Sequence, residues 1–302
     1  MASLRDLKRR IKSVSGIRQI TKAMEMVSAT KLRRAQSRIQ QAKPYTSKMD
    51  EILAHLGDAV KAGVVTHPLL NERPEVNNLL IISVASDKGL CGSFNSNVFR
   101  LTEQRIRQAE AEGLNVSLLL VGKKSFDYFK RRKYTIRDET QKFLSIDQEL
   151  PMSLLQELTN FCTKGFLAGE FDQVEMVYTD FITVISSRAV QRQFLPIKGL
   201  VPENDDNGES ESKGTVKDYI FEPDAGNLLL SLIPKYARVV VFRILASSLA
   251  SEHGQRMSAM KNATDNAGDM IKTLTLQRNK ARQAAITTEL SEIVGGAEAL
   301  KG

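Results

Sequence analysis

The stretch that decides the fold is residues 4–27, LRDLKRRIKSVSGIRQITKAMEMV, close to the N-terminus. Its apolar residues recur in steps of three and four, the spacing of a coiled-coil seam on a long helix. The predicted seam positions are Leu4, Leu7, Ile11, Val14, Ile17, Ile20, Met24 and Val27. A stripe this narrow needs a second helix to cover it, so the sequence predicts a paired helix.

The partner lies at the other end of the chain. Residues 228–294 again have helical spacing, and their seam follows the same steps. Its positions are Met257, Met260, Thr264, Ala267, Ile271, Leu274, Ala281, Ala285 and Thr288. The simplest arrangement pairs the two chain ends as antiparallel helices with a domain inserted between them. A helix over residues 227–300 would be about 100 Å long, which exceeds the diameter of any domain this chain can form.

The middle of the chain has a different period. Residues 79–85 and 116–121 are short apolar runs rich in β-branched residues, which is typical of buried strands. Helical spacing follows over residues 95–112, 123–132 and from Pro151 to about Leu167. Residues 174–185 predict a strand or the first half of a hairpin. This alternation favours a central Rossmann-like α/β domain with a largely parallel sheet.

Prolines and charge mark the connections. Pro44 is expected to kink the first helix or end it nearby, because proline lacks the backbone donor. Residues 203–214, ENDDNGESESKG, are polar and charged and predict a mobile loop. Gly254 and Gly268, together with the small residues at 246–251, would let another helix approach the second long helix closely.

The charge is unevenly distributed along a chain whose formal net charge is +8. Residues 1–43 hold twelve Lys or Arg against two acids, whereas residues 201–224 hold eight acids against two lysines. A basic rod suggests an acidic partner, either nucleic acid or acidic protein loops, and a solvated helix face is the alternative.

Cysteine and histidine usage argues against a disulfide framework and a metal site. The two cysteines, Cys91 and Cys162, have no CxxC spacing, and the three histidines lack metal-ligand spacing. We expect no secretory signal and no membrane-spanning segment, so that any membrane association runs through a partner.

One turn could carry chemistry. Residues 86–93, SDKGLCGS, lie between a predicted strand and a predicted helix, but they lack both the Walker and the G-x-G-x-x-G spacing. A tight turn explains Gly89 and Gly92, and packing explains Cys91. Near the C-terminus, Glu289, Glu292 and Glu298 lie on one helix and are interpreted as surface charges. The sequence therefore predicts no catalytic residue, cofactor or metal.

The C-terminal residues 286–299, ITTELSEIVGGAEA, resemble the signature of the gamma subunit of the rotary F-type ATP synthase, of bacterial type. The resemblance runs through the whole chain in order. It is carried by residues 20–27 (ITKAMEMV), 86–97 (SDKGLCGSFNSN), 219–223 (YIFEP), 250–253 (ASEH), 260–267 (MKNATDNA) and 279–284 (NKARQA).

This resemblance implies a rotor. Two antiparallel helices would form a central shaft inside a hexamer of alpha and beta subunits, turned by a ring of c subunits as ions flow. It implies four segments: residues 1–60 as N-terminal shaft helix, 75–200 as α/β domain, 201–222 as acidic loop and foot, and 223–302 as C-terminal shaft helix. The implied partners are the alpha, beta, epsilon and delta subunits and the c-ring, without nucleic acid and without enzymatic activity of the chain itself.

Particular residues match the family's contact positions. Met24, Arg282, Gln283, Thr287 and Glu289 are implied to face the alpha or beta subunits, and Tyr219 and Glu222 to face epsilon and the c-ring. Met24 fits the internal seam equally well. The basic first helix would face acidic loops of the beta subunits, and the apolar C-terminal tip would sit in an apolar sleeve.

One departure from the family is informative. Chloroplast relatives carry a cysteine pair in an inserted loop, whereas residues 202–215 contain no cysteine, so no thiol switch is expected. We see no transit peptide before the first motif, which favours the cytoplasmic face of a bacterial inner membrane over an organelle. The alternative is a mitochondrial or chloroplast protein after removal of a transit peptide.

Two other functions compete with the rotor. The basic first helix could track nucleic-acid phosphates, which requires it to enter a groove rather than pair with the C-terminus. Residues 86–93 could serve an α/β nucleotide enzyme, for which nucleotide binding by the isolated chain is the test.

Overall fold

The computed structural model describes residues 3–61, 67–132, 134–145, 150–184, 186–197 and 225–299. The chain divides into two compact units. One consists of Met1–Thr30 with Arg256–Gly302, and the other is Lys31–Gln255. Tyr219 and Glu222, with the acidic loop at 202–215, lie outside the described residues.

Two long helices come from the two ends of the chain. Helix α1 is Leu4–Lys61 and helix α5 is Ala225–Ala299. Two effects of Pro44 are expected from the sequence, a kink or a nearby end of the helix. The nearby end is wrong, because α1 continues through the proline. Beyond the proline, Met49 and Leu53 are buried in the core of their unit. This packing compensates for the hydrogen bond that a proline removes from a helix.

A four-stranded sheet forms the centre of the larger unit. Its strands are β1 (Asn78–Val84), β2 (Asn115–Val121), β3 (Gln173–Phe181) and β4 (Ser187–Leu195), in the order β2-β1-β3-β4. β1 pairs in parallel with β2 and β3, and β4 pairs antiparallel with β3. The largely parallel sheet is confirmed, and the β-rich residues after 173 form the first strand of a hairpin.

Helices connect the parallel strands. The structure has α2 (Phe94–Ala111), α3 (Lys123–Phe129), a short 3-10 helix (Asp138–Phe143) and α4 (Met152–Ala168). The predicted helix at 123–132 is shorter than expected, and the other two agree to within a residue or two. Gly169 ends α4 in the left-handed conformation, which glycine adopts without a steric penalty.

Both faces of the sheet are buried, which is why its first strands read as continuous apolar runs. Leu80, Ile82 and Val84 point into a core shared with α1, α4 and α5. Leu79 and Ile81 point to the other face, where α2 covers them. Since neighbouring side chains of a strand alternate between faces, a strand covered on both sides carries no polar alternation.

A buried ion pair ties α2 to the sheet. Arg105 donates two hydrogen bonds to the Glu175 carboxylate, at 2.8 and 3.1 Å, and both side chains are almost fully buried. Gln173 and Gln191 also donate to Glu175, at 2.8 and 2.9 Å. The hydrogen bond from Arg105 to Glu175 is the largest cause that raises the pKa of the guanidinium. Each carboxylate oxygen of Glu175 therefore accepts two hydrogen bonds, one from Arg105 and one from a glutamine.

Removing Arg105 should destabilise the chain severely. An Arg105→Met variant leaves the Glu175 carboxylate buried without its counter-charge, which costs about 3–5 kcal/mol in buried pairs. The double variant R105M/E175M should lose less, since two apolar side chains need no partner. Urea unfolding followed by circular dichroism measures both.

The matched control for this pair is Arg107→Met, on the same helix, because Arg107 is exposed. It should leave the unfolding midpoint almost unchanged. An R105M midpoint equal to that of R107M would contradict the assignment of a stabilising role to the buried pair.

Candidate functional site

The smaller unit is an antiparallel helical hairpin. The hydroxyl of Thr264 on α5 donates to the hydroxyl of Thr21 on α1 across 2.8 Å. A methyl group placed on Gly268 would lie 3.7 Å from Nε of Arg18. As the number on α5 rises by four, the number on α1 falls by three, so the two helices run in opposite directions. The predicted pairing of the chain ends is confirmed.

The seam on α5 is largely the predicted one. Met260, Thr264, Ala267 and Leu274 are buried. Met257, Ile271, Ala281 and Ala285 are partly buried, whereas Thr288 is exposed. The predicted period of α5 is therefore right up to the tip, where the seam ends.

The seam on α1 departs from the prediction in its second half. Leu7 is buried, and Leu4, Ile11 and Val14 are partly buried, as expected. Ile17, Ile20 and Val27 are exposed, although the sequence predicts them in the seam. Thr21 and Ser28 are buried in their place. The heptad that starts at Leu7 and Val14 continues without a shift to Thr21 and Ser28, and so turns the apolar residues outward.

The tip of α5 extends past its partner. Thr21 faces Thr264, so the same register places Leu7 opposite Arg278, near the start of α1. Residues 282–297 are exposed, apart from the partly buried Ala285. Four of them are large apolar residues on successive turns of the helix: Ile286, then Leu290, then the neighbours Ile293 and Val294. Such an unpartnered apolar face on a helix is typical of a surface that another protein covers.

The predicted contact residues divide between tip and seam. Arg282, Gln283, Thr287 and Glu289 are all exposed at the tip. The Thr287 hydroxyl donates to the carbonyl of Gln283 at 3.0 Å, so this threonine satisfies its polar group within the helix. Met24 is partly buried beside the seam. The structure thus brings four of the five residues together on one helix end. The exposed residues Ile17, Ile20 and Val27 were not identified as surface residues from the sequence.

The turn at residues 86–93 uses its polar groups internally. The Ser86 hydroxyl donates to the carbonyl of Lys88 at 2.7 Å, and its backbone N–H donates to Asn95 at 3.1 Å. The side-chain amide of Asn95 donates to the sulfur of Cys91 at 3.3 Å. Gly92 has a φ of 60°, which supports the interpretation of this glycine as a turn residue.

Helix α5 occupies the place where doubly wound sheets bind ligands. That place is the crevice at the carboxyl ends of the strands, where the connections reverse direction. Here Ser247 accepts a hydrogen bond from the Phe181 N–H at 2.8 Å and donates to Asp180 at 2.7 Å. A Cβ on Gly254 would lie 3.2 Å from the carbonyl oxygen of Val184. The close packing of α5 on the end of β3 favours a structural use of this edge over a nucleotide site.

Buried titratable groups in the larger unit behave as core residues. Burial raises the pKa of the Cys162 thiol far above its usual range. Burial also raises the pKa of Tyr178 and that of Tyr236. Each of these shifts favours the neutral form, and none produces a base or nucleophile near neutral pH.

The described residues offer neither a metal site nor a membrane-spanning helix. They contain no group of three or more His, Cys, Asp or Glu side chains placed to hold a metal ion. None of the helices in these ranges combines the length and the apolar character that a membrane crossing demands.

Comparison with known proteins identifies close relatives. A family model described as ATP synthase matches residues 3–300. The ATP synthase gamma chain of Desulforamulus reducens is 42% identical over 301 residues, and that of Pelotomaculum thermopropionicum is 44% identical over 301 residues. In both cases the match covers 100% of each chain.

Solved structures show the same fold at lower identity. A chain of the Euglena gracilis mitochondrial ATP synthase, in a structure of OSCP, F1 and c-ring, superposes with a TM-score of 0.61 at 18% identity. That match covers 98% of this chain and 94% of the other. A chain from the central stalk and c-ring of the Tetrahymena thermophila mitochondrial enzyme gives a TM-score of 0.52 at 23% identity, covering 81% and 99%.

Both native cysteines should be unreactive in the folded chain. Cys91 and Cys162 are buried, and a thiol reacts through its thiolate, which burial disfavours. We expect maleimide labelling of the native chain at pH 7.5 to modify neither residue until denaturant is added. Peptide mass spectrometry distinguishes the two sites, and rapid stoichiometric labelling of Cys91 would show that the turn at 86–93 is open.

Proposed function

The chain belongs to the family of ATP synthase gamma chains, and we propose that it is the central rotor shaft of a rotary F-type ATP synthase. It couples rotation of a membrane c-ring, driven by ion flow, to conformational change at the catalytic sites of the beta subunits. The observation that carries this proposal is the helical hairpin, from which the single helix α5 extends with exposed apolar residues.

The hairpin has the mechanical properties that a shaft needs. Two paired helices resist bending better than one, because each is held along a seam of side chains. A shaft must also present different surfaces in different directions, so that like sites around it experience different contacts. Each angle of the shaft then favours a different conformation at each site, and the differential contacts supply the coupling free energy.

The tip of α5 is proposed to turn inside an apolar sleeve formed by the alpha and beta subunits. Ile286, Leu290, Ile293 and Val294 are exposed there. Apolar contacts have no preferred direction, so they hold a rotating axle without fixing its angle. Arg282, Gln283, Thr287 and Glu289, which are exposed on the same helix end, are the proposed polar contacts to the alpha or beta subunits.

The outward face of α1 is proposed to contact the beta subunits. Ile17, Ile20 and Val27 are exposed on this face. The helix that carries them has a strong excess of basic residues. A partner that complements it has acidic groups around an apolar contact. Met24, partly buried at the border of this face, is proposed as a further contact. Tyr219 and Glu222 remain proposed contacts to epsilon and the c-ring.

The proposed partners are the alpha, beta, delta and epsilon subunits and the c-ring. The chain reaches the membrane through them, at the cytoplasmic face of a bacterial inner membrane. It contributes no catalytic group, since the turn at 86–93 uses its polar groups internally and α5 covers the ligand-binding edge of the sheet.

The purified chain alone should not hydrolyse ATP. We expect phosphate release equal to that of a buffer blank, because the described residues contain no cluster of side chains placed to hold a metal ion. A coupled-enzyme assay on protein from two successive columns measures it. A Ser86→Ala variant serves as control, since contaminating activity would not respond to it. Turnover that co-elutes with the chain and falls in S86A would refute the non-catalytic role.

Substituting two tip residues should weaken coupling without preventing assembly. We expect Q283A/T287A to lower ATP-driven ion pumping by the reconstituted complex about fivefold, which corresponds to the low end of typical coupling free energies. The two side chains are exposed, so the fold and the subunit composition should not change.

The matched control is T273A/Q277A. It removes the same two residue types, four positions apart, from exposed positions on the paired part of α5. This control should pump at close to the parent rate. Equal pumping by Q283A/T287A and the parent would remove Gln283 and Thr287 from the coupling contacts.

A further inference from the structure

Residues 17–28 of α1 have an inverted amphipathic pattern. The exposed fractions of Ile17, Ile20 and Val27 are 51%, 62% and 53%, whereas Thr21 and Ser28 are buried in the hairpin at 9% and 3%. Apolar residues thus face outward and hydroxyl residues face inward. Hydrophobic burial within the hairpin alone favours the opposite orientation.

The two orientations differ by a rotation of the segment through one helix position. Thr21 and Ser28 each follow an apolar residue, Ile20 and Val27, and successive helix positions are about 100° apart. Rotating this segment by one position would place Ile17 and Ile20 against Ala267 and Gly268 of α5. Such small residues can accept larger side chains, so the sequence permits both orientations of the segment. We call these orientations its two phases.

One hydrogen bond across the seam favours the observed phase. The Thr264 hydroxyl donates to the Thr21 hydroxyl at 2.8 Å and, at the same distance, to the Met260 carbonyl of its own helix. Within α1, the Thr21 hydroxyl donates to the carbonyl of Arg18 at 3.1 Å. The Ser28 hydroxyl donates to the carbonyl of Met24 at 2.7 Å. Every inward hydroxyl of the segment is therefore satisfied, which a buried polar group requires.

We propose that the Thr21–Thr264 pair is a positioning device, a phase lock that holds Ile17, Ile20 and Val27 outward for the beta subunits. A local conflict between hydrophobic pattern and observed burial is expected where a surface serves a function beyond folding. The choice of partner rests on the proposed function, but the lock itself is a property of the chain alone.

Adjacent cysteine reporters test the lock. V27C and S28C, made in separate chains, sample the same local openings of the helix but face in directions about 100° apart. In the otherwise unchanged full-length chain we expect maleimide to label V27C about tenfold or more faster than S28C, which reacts only through local opening. Peptide mass spectrometry gives both rates, and the native cysteines are buried.

The lock is removed by T21A/T264A, which keeps helix propensity high because alanine is the best helix former. We expect V27C to label more slowly and S28C to label faster than in the parent, because the segment rotates. Adding I17Q/I20Q to T21A/T264A removes the competing apolar stripe and should restore the parent rates.

Two results would overturn the lock. Unchanged labelling of both reporters in T21A/T264A would show that the pair does not set the phase. Faster labelling of S28C with V27C still at its parent rate would show that the seam opens rather than rotates. Since every measurement uses the chain without partners, these failures are distinct from failure of the rotor assignment, which subunit assembly tests.

Discussion

The structure depends on one constraint, which is that each end of the chain forms a helix too narrowly apolar to be stable alone. In the smaller unit, Thr21 faces Thr264 across the seam of the two helices. In the larger unit, Arg243 of α5 donates to Asp50 of α1 at 3.0 and 3.1 Å, and Met49 and Leu53 share a core with residues of α5. Because the two end helices pair, the chain between them must begin and end at neighbouring positions. The α/β domain satisfies that requirement.

The sheet therefore serves a different purpose from that of most doubly wound sheets. In those folds the carboxyl edge is the usual ligand site. Here Ser247 brings α5 against the end of β3, and Gly254 brings it against the turn that follows β3. The turn at 86–93 satisfies its polar groups internally. Fold class alone would suggest a nucleotide enzyme, whereas the contacts at this edge favour a mechanical scaffold.

The sequence predicts the elements well and the orientation of α1 poorly. Strands β1 and β2 are covered on both faces, so their apolar runs identify them. Pro44 wrongly suggests a nearby end of the first helix, because the burial of Met49 and Leu53 outweighs the local effect of the proline. The burial of Ile17, Ile20 and Val27 in the seam is predicted wrongly for another reason. Periodicity identifies residues that will be buried, but it does not say whether the chain or a partner buries them. The tip contacts came from family resemblance, since no physical signal in the sequence singles out Gln283 or Thr287.

The most direct test of the rotor assignment is to watch the chain turn. The chain would be assembled with its alpha and beta subunits on a surface, with a probe attached to an exposed position of the larger unit. We expect ATP to drive rotation of the probe in one direction, with one step for each catalytic site. Steady ATP hydrolysis by the assembled complex with a stationary probe would contradict it.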